Sequence, residues 1–290
     1  MTDTLAAWYQ GARPHTWANA FAPVIAGSGA AAAAGGFDLG RALLAAIVSW
    51  ALIVGVNYAN DYSDGIRGTD DERSGPLRLV GSGTATPSAV KLAAFAAFGV
   101  AGAAGILLSL LAGAPWLIAV GVVCVLAAWF YTGGDNPYGY RGFGELAVFV
   151  FFGLVAVLGT QYTQAHTITG AGVLCAVAVG CFSSGVNLAN NIRDIPSDRE
   201  AGKITLAVTL GDGRARTLWM LLAALPFVLT TAFGPAHPAA LLAVAALPLA
   251  AAAGLPIYRG AQGPALIPVL GLLGRAMLVW TILTAVGLAL

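Results

Sequence analysis

Residues 55–64 read GVNYANDYSD and residues 185–194 read GVNLANNIRD, identical at six of ten positions. The copies begin 130 residues apart, and each closes a long apolar run. On a helix, residues at i, i+3, i+4 and i+7 share one face. In the first copy that face carries Asn57, Asn60, Asp61 and Asp64. In the second it carries Asn187, Asn190, Asn191 and Asp194, with Asp198 one turn further on. Polar residues at a helix end are often only caps and solvated loops. Two matching copies whose asparagines reach a turn or more into apolar spans argue for a site, because polar groups inside a membrane are costly and mostly functional.

The sequence around the repeat demands a membrane. Of 290 residues 58% are hydrophobic and 9% charged, with a mean hydropathy of +0.81. Soluble domains carry about 25% charged residues. Nine apolar runs of spanning length recur at 17–36, 41–63, 88–111, 115–132, 143–163, 168–190, 216–233, 238–257 and 266–289. The expected fold is therefore an all-α integral membrane protein, a single domain over 1–290 with about nine transmembrane helices bundled around a central cavity. The first motif (57–71) and the second (187–203) fall on spans two and six, so both point the same way in two parallel pseudo-repeats. Cys124, Cys175 and Cys181 lie in apolar stretches without metal-ligand spacing and read as small hydrophobes. No secretory signal peptide precedes the first span.

Charge orients the bundle. Of 14 Lys and Arg residues, 12 lie on the N-terminal segment or beside connections that follow even-numbered spans. The positive-inside rule places the N-terminus and the motif loops in the cytoplasm, in a bacterial cytoplasmic membrane surrounded by lipid. No basic run suggests nucleic acid, and nothing points to an obligate protein partner.

Eight of the 13 acidic residues fall in 61–72 and 194–200. Oxygen ligands in such number suit a hard cation, and Mg²⁺ joins one or two carboxylates to substrate phosphates. Interleaved cations at Arg67, Arg73, Arg193, Arg199 and Lys203 fit phosphate clamps. The pattern describes a metal–diphosphate cradle at a membrane boundary.

Asn60-x3-Asp64 with Asp70-Asp71, paired with Asn190-x3-Asp194-x3-Asp198, resembles the two aspartate-rich motifs of the UbiA superfamily of intramembrane prenyltransferases. The stretch NNIRDIPSDREAGKITLAVTLG (190–211) is especially specific. The resemblance spans the whole chain. It implies two Mg²⁺ ions on a polyprenyl diphosphate, ionisation of the allylic C–O bond, and capture of the cation by an electron-rich ring. Gly68 stands where many members have another Asp. The stretches NDYSDGIRGTDDERSGPLRLVGSG (60–83) and YTGGDNPYGYRGFGE (131–145) are similar to 1,4-dihydroxy-2-naphthoate prenyltransferases of menaquinone synthesis, which implies transfer with loss of CO₂. Asp135 departs from the Pro expected there.

Carried onto this chain, the resemblance assigns metal binding to Asn60, Asp61, Asp64, Asp194 and Asp198. Asp64, Asp194, Asp198, Arg67, Lys203 and Tyr131 form the expected catalytic set. Asn57, Asn190, Asn191, Asp70, Asp71, Arg141, Arg199 and Lys203 form the expected substrate-binding set. Several other residues carry two readings. Tyr131, Tyr138 and Tyr140 either stabilise a cation or belong to the interfacial belt. Arg275 either snorkels or reaches the diphosphate. His15 and Trp17 read as interfacial anchors, and Gln161 and Gln164 on the outer side have no assigned role. Two other classes fit less well. A transporter would place its charges near the midplane. A CDP-alcohol phosphotransferase needs an Ala-Arg where Gly68-Thr69 stand. Within the superfamily, 4-hydroxybenzoate and homogentisate are the competing acceptors.

Overall fold

A computed structural model describes residues 2–68 and 77–290, and among them there are helices and turns but no strand. A short helix α1 (Thr2–Gly11) and a turn at Pro14–Thr16 precede the bundle. Five apolar helices follow: α2 (Ala18–Ala33), α3 (Leu39–Arg67), α4 (Pro87–Leu111), α5 (Leu117–Phe130) and α6 (Gly144–Ala165). Then come α7 (Gly170–Arg193), two short helices α8 (Ile195–Glu200) and α9 (Leu206–Leu210), and α10 (Asp212–Phe233), α11 (Pro238–Tyr258) and α12 (Gly263–Ala289). Seven of these helices are long and apolar enough to cross a membrane, while α2 and α5 are apolar but only 16 and 14 residues long.

The expected spans and these helices agree in order and number among the described residues. Their ends differ for a physical reason. An apolar-run reading stops where polar residues begin, at 63 and 190, yet α3 runs on to Arg67 and α7 to Arg193. Backbone hydrogen bonding continues through the asparagines and aspartates because their side chains find partners elsewhere. Gly68, at φ 71°, then ends α3 in the left-handed conformation that glycine adopts without penalty.

The two halves of the bundle pack differently. Helices α7, α10, α11 and α12 enclose a continuous apolar core around Phe182, Trp219, Phe233 and Trp280. Helices α2 to α7 instead surround a cavity of about 550 Å³. Small residues allow the close helix approaches that make this possible. At Gly153 an added Cβ would lie 2.6 Å from the Gly180 Cα and 2.7 Å from the Ala176 carbonyl oxygen, so α6 and α7 meet backbone to backbone. At that contact α6 opens into a π-helical stretch, Phe149–Val155, which turns Phe151, Phe152 and Val155 toward the cavity. Such π segments recur at functional sites.

The end opposite the motifs is closed by polar clamps. Gln161, fully buried, donates through Nε2 to Thr169 Oγ1 at 2.8 Å. Gln164 donates to Ser28 Oγ at 3.0 Å and accepts from the Asp38 amide at 3.2 Å. Arg41 reaches the carbonyl oxygens of Thr163 and Leu111, each at 3.0 Å. These bonds satisfy buried polar groups and join the ends of α2, α3, α4, α6 and α7. The two glutamines without an assigned role are thus structural.

Gly27 tests the packing account. A Cβ there would lie 2.5 Å from the Val157 carbonyl oxygen and 2.7 Å from Thr160 Cβ, whereas Gly99 has nothing within 4 Å. Gly27→Val is expected to lower the detergent-solubilised unfolding temperature, at a cost of about 1–3 kcal/mol from overpacking. Gly99→Ala is expected to be neutral or stabilising by up to about 1 kcal/mol. Equal behaviour of the two variants in a thermal melt would contradict the close α2–α6 contact.

Candidate active site

The C-terminal ends of α3 and α7 bring both motifs to one end of the cavity, where Asn57, Asn60, Asn187 and Asn190 line its wall. This is the convergence that the repeat requires. The acidic residues lie beside these asparagines, each buried and each engaged. Asp64 accepts the Tyr140 hydroxyl at 2.5 Å. Arg193 grips Asp194 through two bonds, Nε to Oδ1 at 2.6 Å and Nη2 to Oδ2 at 2.8 Å. Both side chains of that pair are at most 4% exposed. Asp198, on α8, faces Lys203 Nζ at 3.5 Å, and the Lys203 amide donates to the Asp198 carbonyl at 2.7 Å.

The 131–141 connection joins the two motifs. Tyr140 sits under two cations, with Arg67 5.4 Å and Lys203 5.3 Å from its ring centre. Its carbonyl accepts from the Ile204 amide at 3.0 Å. Thr132 donates to Asn60 Oδ1 at 2.8 Å, and Tyr131 donates to Asn187 Oδ1 at 3.5 Å. Tyr131 and Tyr138 both line the cavity, their rings edge to face at 5.5 Å.

Several expected site residues have other duties. Asp61, expected among the metal ligands, is fully buried and accepts from the backbone amides of Leu79 and Val80 at 2.8 and 2.9 Å. It anchors the loop that returns from the motif. Asn57 spends its amide on the Ala12 carbonyl and Thr16 Oγ1, at 3.0 and 3.1 Å, and so holds the N-terminal turn against α3. Asn191 turns away from the cavity and donates to Glu145 Oε1 at 2.6 Å. Arg67 donates to the carbonyl oxygens of Thr132 and Gly134, fixing the 131–141 connection. Arg141 and Arg199 are exposed, and neither lines the cavity. Arg275 is exposed on α12 and is likewise absent from the cavity wall, in keeping with the snorkelling reading. Asp70, Asp71 and Arg73 lie outside the described residues.

Other residues join the site without having been singled out for it. Arg13 and Arg78 join the expected Arg193 in making one end of the cavity basic, and His15 lines the same end. Arg13 holds φ at 51°, a left-handed backbone uncommon for any residue but glycine, so the turn is constrained around it. Burial, with the positive charges of Arg13 and Arg193, pushes the His15 imidazole below its usual range and keeps it neutral at physiological pH. Sequence offered one hint for this end, a cation and a histidine directly before the first span. For Glu145 the hint was a carboxylate opening an apolar helix.

From the basic, asparagine-rich end the cavity runs along an apolar wall. On α3 it extends from Asn60 back to Ala45, a depth of about 22 Å at 1.5 Å per residue. A group with a charged head and a long apolar tail matches this shape.

Comparison with known proteins bears directly on that geometry. A 1,4-dihydroxy-2-naphthoate octaprenyltransferase from Mycobacterium tuberculosis is 56% identical over 286 residues, covering 99% of this chain and 98% of its own. A protein of the same name from Escherichia coli is 41% identical over 216 residues, 72% of this chain and 70% of its own. A UbiA homolog from Archaeoglobus fulgidus, solved bound to DMAPP and Mg²⁺, has a TM-score of 0.67 at 15% identity, covering 96% of this chain and 99% of that one. The apo structure of a UbiA homolog from Aeropyrum pernix has a TM-score of 0.66 at 19% identity, with 90% and 94% covered. Identities this low speak for the fold alone, and the fold they share is that of a multi-pass helical membrane protein. The model of the UbiA prenyltransferase family matches residues 20–265. The chain belongs to the UbiA prenyltransferase family.

Proposed function

We propose that the protein transfers a polyprenyl group from polyprenyl diphosphate to 1,4-dihydroxy-2-naphthoate with loss of CO₂, at the cytoplasmic face of a bacterial cytoplasmic membrane. The observation that carries this reading is the meeting of two asparagine-bearing helix ends, with their aspartates beside them, at the basic end of a deep apolar cavity. The two naphthoate octaprenyltransferases that align over most of the chain support the acceptor. The clustering of cations beside the motifs supports the cytoplasmic orientation.

The donor set fits magnesium. Among the described residues no three acidic, histidine or cysteine side chains gather into one cluster. Mg²⁺ does not need one, since it commonly takes one or two carboxylates and completes its shell with phosphate oxygens and water. Asn60 and Asp64 would hold one ion, and Asn190, Asp194 and Asp198 a second. Held there, Mg²⁺ would supply positive charge that eases departure of the diphosphate. Arg193 and Lys203 keep the carboxylates neutralised between turnovers and supply positive charge to the diphosphate as its charge grows. The apolar wall along α3, α4, α5 and α6 receives the tail.

The reaction balances without a net proton. The allylic C–O bond breaks with its electron pair leaving on the diphosphate. The ring carbon that bears the carboxylate forms the new C–C bond, and the bond to the carboxylate breaks as CO₂ leaves, its pair restoring the aromatic ring. The cationic end at Arg13 and Arg193, with neutral His15 beside them, would receive the acceptor's carboxylate before that loss. The ring of Tyr131 offers its face to the allylic cation.

Purified protein with Mg²⁺, polyprenyl diphosphate and 1,4-dihydroxy-2-naphthoate is expected to yield a prenylated naphthoquinol without the carboxylate, detected by mass spectrometry. Transfer only to 4-hydroxybenzoate or homogentisate would overturn the acceptor. EDTA is expected to stop turnover and excess Mg²⁺ to restore it. Asp64→Ala and Asp198→Ala should each lower kcat by at least about 100-fold in protein that remains folded. Full activity in either variant would remove that residue from the cradle.

A further inference from the structure

The membrane helices hold two kinds of glycine. At Gly27, Gly29 and Gly153 an added Cβ would lie within 2.6 Å of a neighbouring helix, so these glycines let backbones touch. Gly105 on α4, Gly121 on α5 and Gly159 on α6 make no such contact. A Cβ at Gly121 or Gly159 would meet nothing within 4 Å, and one at Gly105 only Val48 Cγ2, at 3.8 Å. Glycine inside a helix is less favourable than alanine, and packing gives no reason for it at these three positions. What they share is the wall of the cavity.

They also share a depth. Gly105 and Gly159 each stand six positions before the last residue of their helices, and Gly121 four after the first of its own. All three therefore lie within two turns of the end opposite the motifs. Gly105 is level with Val48 on α3, twelve residues and about 18 Å from Asn60. The Tyr and Phe rings of the cavity, Tyr131, Tyr138, Phe151 and Phe152, all lie nearer the motifs. Beyond the glycines the cavity is closed, where Arg41 donates to the Thr163 and Leu111 carbonyl oxygens, each at 3.0 Å.

Chain geometry matches this level to a part of the donor. An isoprene unit adds four carbon–carbon bonds of about 1.5 Å, hence about 5 Å of extended chain. A tail that starts at the asparagines spends three units above the glycines and brings its fourth among them. We propose that Gly105, Gly121 and Gly159 form a length-permitting layer of the tail cavity. They keep open the space that the fourth isoprene unit occupies and in which a longer tail turns aside from the closed end. The protein thereby accepts donors of four or more units. The inference deepens the prenyl-transfer reading above and rests on it.

The layer is tested by measuring kcat/KM for geranyl (two units) and geranylgeranyl (four units) diphosphate in wild type, Gly105→Leu, Gly159→Leu and Gly99→Leu. Leucine is at home in a membrane helix, and each of these positions has open space for a side chain. Gly99 does not line the cavity and serves as the control. The geranylgeranyl-to-geranyl ratio is expected to fall about 10- to 100-fold in Gly105→Leu and Gly159→Leu, the range for forcing methylene groups into occupied space. It should stay at the wild-type value in Gly99→Leu. Each ratio is taken within one variant, so partial loss of folded protein cancels. An unchanged ratio in both cavity variants, equal loss for both donors, or a wild type that uses only the geranyl donor would overturn the layer alone. A wild type that transfers neither prenyl group would overturn the prenyl-transfer reading and the layer with it.

Discussion

Buried carboxylates at a membrane boundary must be neutralised, and that requirement organises this molecule. Asp64, Asp194 and Asp198 are each at most 7% exposed. Removing a charge from water is expensive unless it is paired and hydrogen-bonded. The fold answers with Tyr140 on Asp64, Arg193 on Asp194 and Lys203 beside Asp198. Tyr140 also lies beneath Arg67 and Lys203, so one aromatic ring in the 131–141 connection couples the two motifs. The same pairs leave a concentration of charge that a metal–diphosphate complex can enter with little net change.

The division of labour between the halves follows from packing. The core of α7, α10, α11 and α12 is filled by large side chains, including the fully buried Trp219 and Trp280. It makes a rigid back wall for the second motif. The opposite half is thinner. None of the α5 residues is buried, and much of that helix lines the cavity. A substrate with a long apolar tail needs such a wall, and the lipid around it is an equally apolar solvent.

Much of this was legible in the sequence because the membrane simplifies folding to one question, where apolar runs begin and end. The nine apolar helices among the described residues, the paired motifs and their shared end all follow from hydropathy and from the GVNxAN repeat. The side-chain assignments were less legible. A helical-face argument treats Asn57, Asn60, Asp61 and Asp64 as equals. Their partners come from distant segments: the N-terminal turn for Asn57, the 131–141 connection for Asn60 and Asp64, and Leu79 and Val80 for Asp61. Those contacts span 18 to 76 positions along the chain, beyond any periodic pattern. Arg13 and His15 were hidden for the same reason, as their role depends on a turn folding under the bundle. Glu145 needed the opposite helix before its partner Asn191 could be seen.

The central claim is that the ends of α3 and α7 form one cradle with the tail cavity below it. The most direct measurement is an experimental structure with Mg²⁺ and a non-hydrolysable polyprenyl diphosphate analogue. The account predicts metal and diphosphate between Asn60–Asp64 and Asn190–Asp198, with the tail running along α3 toward Ala45. A diphosphate bound at one motif only, or a tail directed away from that wall, would contradict it.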